Sequence, residues 1–312
     1  KGANIDYSEK LENVYAAHGK LTDRDNRPKE VLLKEAVDAA NKSDVVVLAI
    51  GESAEMSGES SSRTEIDIPE SQIDLLKELK KTGKPIVVVL FTGRPLALTN
   101  MKDLPDAILN VWFAGSEAGN AISDVLFGKV NPSGKLPVTF PRSLGQVPIY
   151  YNHKYTGRPL GADPTEKCVY ERFRSNYMDE CNTPLYPFGY GLSYTKFNYS
   201  GMSVSNSNPK GNQTIQASIT VTNSGNYDGA EVVQLYIRDR VGSITRPVKE
   251  LKGFQKVYLK KGESQKVTFN ISPEDLKFYN NTLKYDWEAG EFDVMIGTNS
   301  DEVQITKINW TK

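Results

Sequence analysis

The 312-residue sequence predicts an α/β layer with a mostly parallel sheet, followed by an all-β sandwich. Three observations lead there. Continuous β-branched runs alternate with amphipathic helical stretches up to about residue 148, which is the pattern of a parallel sheet covered by helices. Beyond Lys196 the apolar period becomes two, broken by Gly, Asn and Asp turns, as in an antiparallel sandwich. Between them lies an aromatic-rich stretch with no clear period. The expected divisions are therefore 1–148, 149–195 and 196–312.

In the first division "RPKEVLLKEAVDAANKS" reads as an amphipathic helix feeding "SDVVVLAIG", a short β-branched run suited to a strand buried on both faces. "PESQIDLLKELKKTG" predicts a helix with Pro69 at its first position, Ile73, Leu75, Leu76 and Leu79 on one side, late lysines and Gly83 as the stop. "KPIVVVLFTG" and "DAILNVWFAG" are two more expected buried strands. "SEAGNAISDVLFG" is a helix ending at Gly128, and "GKLPVTFP" is expected to be a last short strand. In the third division "TIQASITVTNSG", "AEVVQLYIRD", "KELKGFQKVYLKKGESQKVTFNIS" and "GEFDVMIGTNS" alternate apolar and polar residues. No internal repeat or low-complexity tract interrupts either pattern.

Composition narrows the function. A formal net charge of −1 provides no general attraction to nucleic acid or to an anionic membrane. No run approaches the roughly 20 apolar residues that span a bilayer, and no charged-then-apolar leader follows Lys1. The two cysteines, Cys168 and Cys181, lie in the irregular stretch, either as one disulfide or as two thiols. With His18 and His153 far apart, ligand spacing for zinc is absent, and no metal or cofactor is expected.

In an open parallel sheet, ligands bind beyond the carboxyl ends of the strands. Three loops leave that edge. "GESAEMSGESSSRTEIDIP", residues 51–69, carries Glu52, Glu55, Glu59 and Glu65 with Arg63. "FTGRP" carries Thr92 and Arg94, which are candidates either for this rim or for capping a helix begun by Pro95. "WFAGSEAGN" carries Ser116, Glu117 and Asn120. A phosphate cradle is disfavoured because Glu117 stands at the helix start, and no dinucleotide fingerprint, Walker sequence or Gly-x-Ser-x-Gly elbow occurs. A carboxylate-rich loop with one cation is either solvated surface or a source of general acid–base chemistry, glycoside hydrolysis above all.

The strings "GESAEMSGESSSRTEIDIPESQIDLLKEL", "GKPIVVVLFTGRPLAL", "WFAGSEAGNAISDVLFGKVNPSGKLPVTFPRS", "PLYPFGYGLSYTKF" and "RPVKELKGFQKVYLKKGE" together resemble glycoside hydrolase family 3 over nearly the whole chain. That resemblance implies an N-terminal (β/α)8 barrel, an α/β sandwich and a fibronectin type III-like domain, acting on β-linked glucosides with retention of configuration. It implies that the sandwich lends a loop bearing the acid/base glutamate, which falls here on Glu59, with Met56, Ser57 and Arg63 beside the substrate. Glu52 matches a strand-end "GE" motif and reads as structural.

The departures are as informative. A barrel of that kind needs roughly 200 residues or more, for which this chain has no room, and the family's opening α/β strand is absent, so the sandwich is expected to be incomplete at its N-terminus. The nucleophilic aspartate of the family is expected in a Ser-Asp-Trp-like context, whereas the "YDW" at Tyr285–Trp287 falls within the all-β part and reads as a strand pattern. The chain thus resembles the C-terminal portion of a periplasmic or secreted β-glucosidase. It is expected to be inactive alone, and its partners are a β-glucoside and the missing barrel. Without that barrel, Met56 to Arg63 is expected to lose partners and become mobile. Two alternatives stand beside this reading. One is a carbohydrate-binding or scaffolding module using Trp112, Tyr150, Tyr151 and Tyr155. The other is β-xylosidase or N-acetylhexosaminidase activity within the same family.

Overall fold

The computed structural model describes residues 27–160, 168 and 170–312. Lys1, His18 and the start of the first expected division lie outside the described residues. Two compact units are formed: one ends at Ile122 and also takes Pro141–Val147, and the other holds Ser123–Phe140 and Pro148–Lys312.

The first unit contains α1 (Lys29–Asn41), β1 (Val46–Gly51), α2 (Glu70–Lys80), β2 (Ile86–Phe91) and β3 (Ala107–Asn110). The strands make a parallel sheet of order β1-β2-β3, with Val46 opposite Ile86 and Val87 opposite Ala107. Helix α2 begins one residue later than the sequence predicts, because Pro69 takes the N-cap position. Its buried apolar side chains Ile73, Leu75, Leu76 and Leu79 are the four that the 3.6-residue period selects, and Gln72 is buried beside them. Central β2 is buried along most of its length. Its neighbours are not buried on both faces, contrary to the sequence expectation. Edge strand β1 alternates, with Val47 54% exposed, and β3 is only half-buried. β-Branched runs report strand propensity, and a strand at a sheet edge keeps it while losing cover.

Helix α3 (Ala118–Leu126) follows, ending before Gly128, whose φ of +72° closes it. The expected strand in 134–141 does not form. Pro137 and Pro141 remove ladder donors there, and the segment is tied down by single contacts, such as Phe140 N–H donating to Tyr186 O at 2.9 Å. Lys135 of this segment is nearly buried. It donates to Glu231 Oε1 (3.2 Å), Thr298 Oγ1 (3.0 Å) and Gly191 O (3.1 Å). Tyr199 also donates to Glu231 Oε1 (2.8 Å), and burial beside that carboxylate pushes its phenol strongly upward.

The second unit is a sandwich. One sheet is β4-β5-β8, formed by Phe197–Val204, Ile215–Asn223 and Ser264–Ile271. The other is β12-β11-β6-β7, formed by Val303–Trp310, Gly290–Gly297, Gly229–Asp239 and Glu250–Leu259. Alternate residues such as Ile215, Ala217, Ile219 and Val221 of β5 meet Val233, Leu235 and Ile237 of β6 in one buried core. A two-residue pair, β9 (Phe278–Tyr279) with β10 (Tyr285–Asp286), carries the "YDW" string. There Trp287 packs edge-on to Trp310 with centroids 6.0 Å apart, while Asp286 binds Lys312 at 2.8 Å.

The irregular stretch is anchored throughout its described residues. His153 O accepts from Val248 N–H, Phe188 O accepts from Ser300 N–H, and a disulfide joins Cys168 to Cys181. It covers the outer face of β6, where Gln234 donates to Gly189 O (3.2 Å) and Tyr236 meets the Tyr151 ring edge-on.

The incomplete cover of edge strand β1 has a measurable consequence. Leu76→Ala, at a fully buried site, should lower the unfolding free energy by about 2–5 kcal/mol. Val47→Ala, on the open side, should cost below about 1 kcal/mol. Urea midpoints at unchanged slope would separate the two.

Candidate functional site

At the carboxyl ends of β1 and β2 the rim is organised by Glu52, whose side chain is fully buried. A buried carboxylate needs charge compensation and hydrogen bonds, and this one has both. Arg63 Nη1 donates to Oε1 at 2.9 Å, Arg94 Nε stands 2.9 Å from the same oxygen, and Gly93 N–H donates to Oε2 at 3.1 Å. The Thr92 hydroxyl shares its one proton between Oε2 (3.0 Å) and Arg94 O (2.5 Å), while accepting from Arg94 N–H (3.1 Å). The alternative of helix capping by Thr92 and Arg94 is thereby corrected, since the chain beyond Pro95 is turn rather than helix.

Two backbone details put Glu52 there. Gly51 has φ +132°, and a Cβ on it would lie 1.8 Å from Phe91 O, so the strand end closes on β2 only with glycine. Gln72 of α2 then receives Gly51 N–H (2.8 Å) and returns a hydrogen bond to Gly51 O (3.0 Å), satisfying both backbone groups. Gly93 is tied to its place by crowding, since the Ser57 hydroxyl and the Phe113 ring occupy the space that a Cβ would need.

The expected catalytic residue, Glu59, sits at the tip of a tight turn. Ser61 N–H donates to Gly58 O at 3.2 Å, and Ser60 at the corner has φ +60°. Glu59 is exposed, whereas Met56 at the base of the turn is buried. Arg94 reaches under the turn and donates from Nη2 to Met56 O (2.6 Å) and Ser61 O (3.1 Å), one on each side of Glu59. Arg63 donates from its other amino group to Asp67 O (3.1 Å). Within the chain itself, Met56 to Arg63 keeps partners at the sheet edge, through Arg94 and Glu52. Burial, with Glu65 nearby, raises the Asp67 carboxyl against the opposing effect of Arg63. Ser57 is half-buried, and its hydroxyl has no hydrogen-bond partner among the described residues. Glu55 and Glu65 are exposed.

The third loop contributes the Phe113 ring against Gly93, following Trp112 with φ +49°. Its Glu117 accepts from Asn120 (2.7 Å) at the surface. Of the two places the sequence offered for Arg94, the rim and a helix cap, it takes the rim, beside Glu52. Among the described residues no group of His, Cys, Asp and Glu is suited to hold a metal ion, and no helix is long and apolar enough to cross a membrane.

Comparison with known proteins adds relatives. The model of the glycosyl hydrolase family 3 C-terminal domain matches residues 5–194, and that of a fibronectin type III-like domain matches residues 231–300. A periplasmic β-glucosidase of Salmonella typhimurium is 50% identical over 97% of this chain and 39% of its own length. A β-xylosidase of Formosa agariphila is 38% identical over 96% of this chain and 40% of its own. The solved structure of a β-glucosidase from Listeria innocua in complex with glucose superposes with a TM-score of 0.85 at 40% identity, over 94% of this chain and 40% of that one. The chain thus spans about two fifths of the length of these relatives.

If Glu52 holds the rim, Glu52→Gln leaves two arginines facing a neutral amide. The expected cost is about 3 kcal/mol in the first unit, as for a buried pair that loses one partner. Thermal unfolding compared with Glu55→Gln, an exposed control, tests it, and equal melting of the two variants would contradict the clamp.

Proposed function

Since the chain belongs to glycoside hydrolase family 3, we propose that it is the C-terminal part of a retaining β-glucosidase, with Glu59 as the acid/base. The observation that carries this reading is the presentation of Glu59: an exposed carboxylate on a turn whose two sides are pinned by one half-buried arginine, charge-balanced by the buried Glu52. A solvated acidic loop has no need of such support, whereas a proton donor must be held within hydrogen-bond reach of the leaving oxygen.

Retention requires a second carboxylate about 5–5.5 Å from the first, to attack the anomeric carbon. Glu52 is buried and committed to Arg63, Arg94, Thr92 and Gly93, so it is unavailable to a sugar. Asp286 lies in the second unit, bound to Lys312. We assign the nucleophile to a barrel domain in the remaining three fifths of the protein, which leaves this chain inactive alone. In the assembled site Glu59 protonates the departing oxygen, then deprotonates the water that releases the sugar. Ser57, with its unspent hydroxyl, is the substrate contact we favour. Met56 and Arg63 act on the sugar through the shape of the turn. A periplasmic location follows from the name of the Salmonella relative and is part of the same proposal.

The test is reconstitution with a separately expressed barrel domain, using alkyl and dinitrophenyl β-glucosides. The chain alone should hydrolyse neither, and the mixture both. Glu59→Gln should lower kcat on the alkyl glucoside by about 10²–10⁴ and much less on the dinitrophenyl one, whose leaving group needs no proton. Hydrolysis by the chain alone, or equal loss on both substrates, would overturn the assignment.

A further inference from the structure

The second unit has a cavity of about 280 Å³ on the outer face of its four-stranded sheet. Arg238 of β6, Asp293 of β11 and Ile305 of β12 contribute to its floor, and Tyr150, Tyr151 and Tyr155 to its wall. The three tyrosines are used differently. Tyr151 is fixed in packing, stacked on Phe188 at 4.3 Å, and its hydroxyl accepts from Leu251 N–H at 3.3 Å. Tyr150 remains 59% exposed. Tyr155 carries the Arg238 guanidinium 4.9 Å from its ring centroid.

Arg238 is the informative group. Its cross-strand neighbour is Asp293, but both oxygens of that carboxylate accept from Arg240 Nε at 3.0 Å. Among the described residues no carboxylate or carbonyl accepts from Arg238. A planar fork of five donors is therefore half-buried against an aromatic ring, with its hydrogen bonds unspent. A second opening, along the β6–β7 turn, shares Tyr155 and Arg238 with the first, so this pair forms a common wall and leaves room for a ligand longer than one ring.

Tyrosine rings beside a guanidinium with unspent donors suit a pyranose. Its C–H face stacks on the rings, while its vicinal hydroxyls accept from the guanidinium. The volume is near the small end of ligand pockets, about 300 Å³, which fits one sugar ring per opening. We propose that this groove is an accessory saccharide-binding site, with Tyr155 and Arg238 as its platform. It lies wholly within the second unit, uses no residue of the 58–61 turn, and does not rest on the role given to Glu59.

Titration of the ¹⁵N-labelled chain with cellobiose, and separately with glucuronate, tests the proposal by NMR. Saturable shifts clustered at Tyr150, Tyr155 and Arg238 are expected at tens of millimolar. Tyr155→Ala should weaken binding about tenfold, as should Arg238→Lys, which keeps the charge and loses the plane. Glu59→Gln should bind as the unaltered chain does. A preference for glucuronate would support the site with its guanidinium reading a carboxylate, and a preference for cellobiose would support it with hydroxyls as acceptors. No saturable shift with either sugar, or undiminished binding in both folded platform variants, would overturn it.

Discussion

One buried carboxylate governs the candidate site. Glu52 stands where β1 ends; its Oε1 draws Arg63 back from the far end of its own loop and Arg94 across from the loop after β2, while Oε2 takes Thr92 and Gly93. In the interior such a charge would be prohibitive alone, and its attraction to the two guanidiniums offsets that cost only while all three remain in place. The arrangement is therefore cooperative. Arg94, once anchored, has Nη2 free to bind the carbonyls on either side of the Glu59 turn. A residue never exposed to solvent thus sets where an exposed one points.

This depends in turn on how closely β1 and β2 approach. Gly51 lets Glu52 N–H reach Phe91 O at 2.8 Å, and Gln72 of α2 holds the strand end from outside. The buried apolar face of α2 positions Gln72, so the chain of cause runs from Leu76 and its neighbours to the rim. None of these links needs a ligand to be present. The turn is held by the chain's own side chains.

Much of the fold was legible in the sequence, because periodicity reports directly on burial. The helices over 29–41, 70–80 and 118–126 and the long strands of the sandwich lie where their periods put them. Legibility failed where two requirements shared one signal. β-Branched residues marked β1 and β3 as strands but could not say which face would be covered, since that depends on sheet order. The prolines of 134–141 outweighed its apolar pattern. Glu59 was located through family strings rather than through physics, because four glutamates in one loop look alike locally. Glu52 reads as structural from its strand-end position, yet its pairing with Thr92, Gly93 and Arg94 in the loop after β2 is not legible, because a contact 40 residues away leaves no local trace.

Arg94, neutralised by Glu52, fixes the turn under Glu59. Amide hydrogen exchange at Ser61, whose N–H closes the turn on Gly58 O, measures that most directly. Replacing Arg94 by lysine keeps the charge but removes the fork that spans Met56 O and Ser61 O. Exchange at Ser61 should then accelerate at least about tenfold, equivalent to about 1.4 kcal/mol, while amides in the middle of β2 keep their protection. Unchanged exchange at Ser61 in Arg94→Lys, with the fold intact, would contradict the claim.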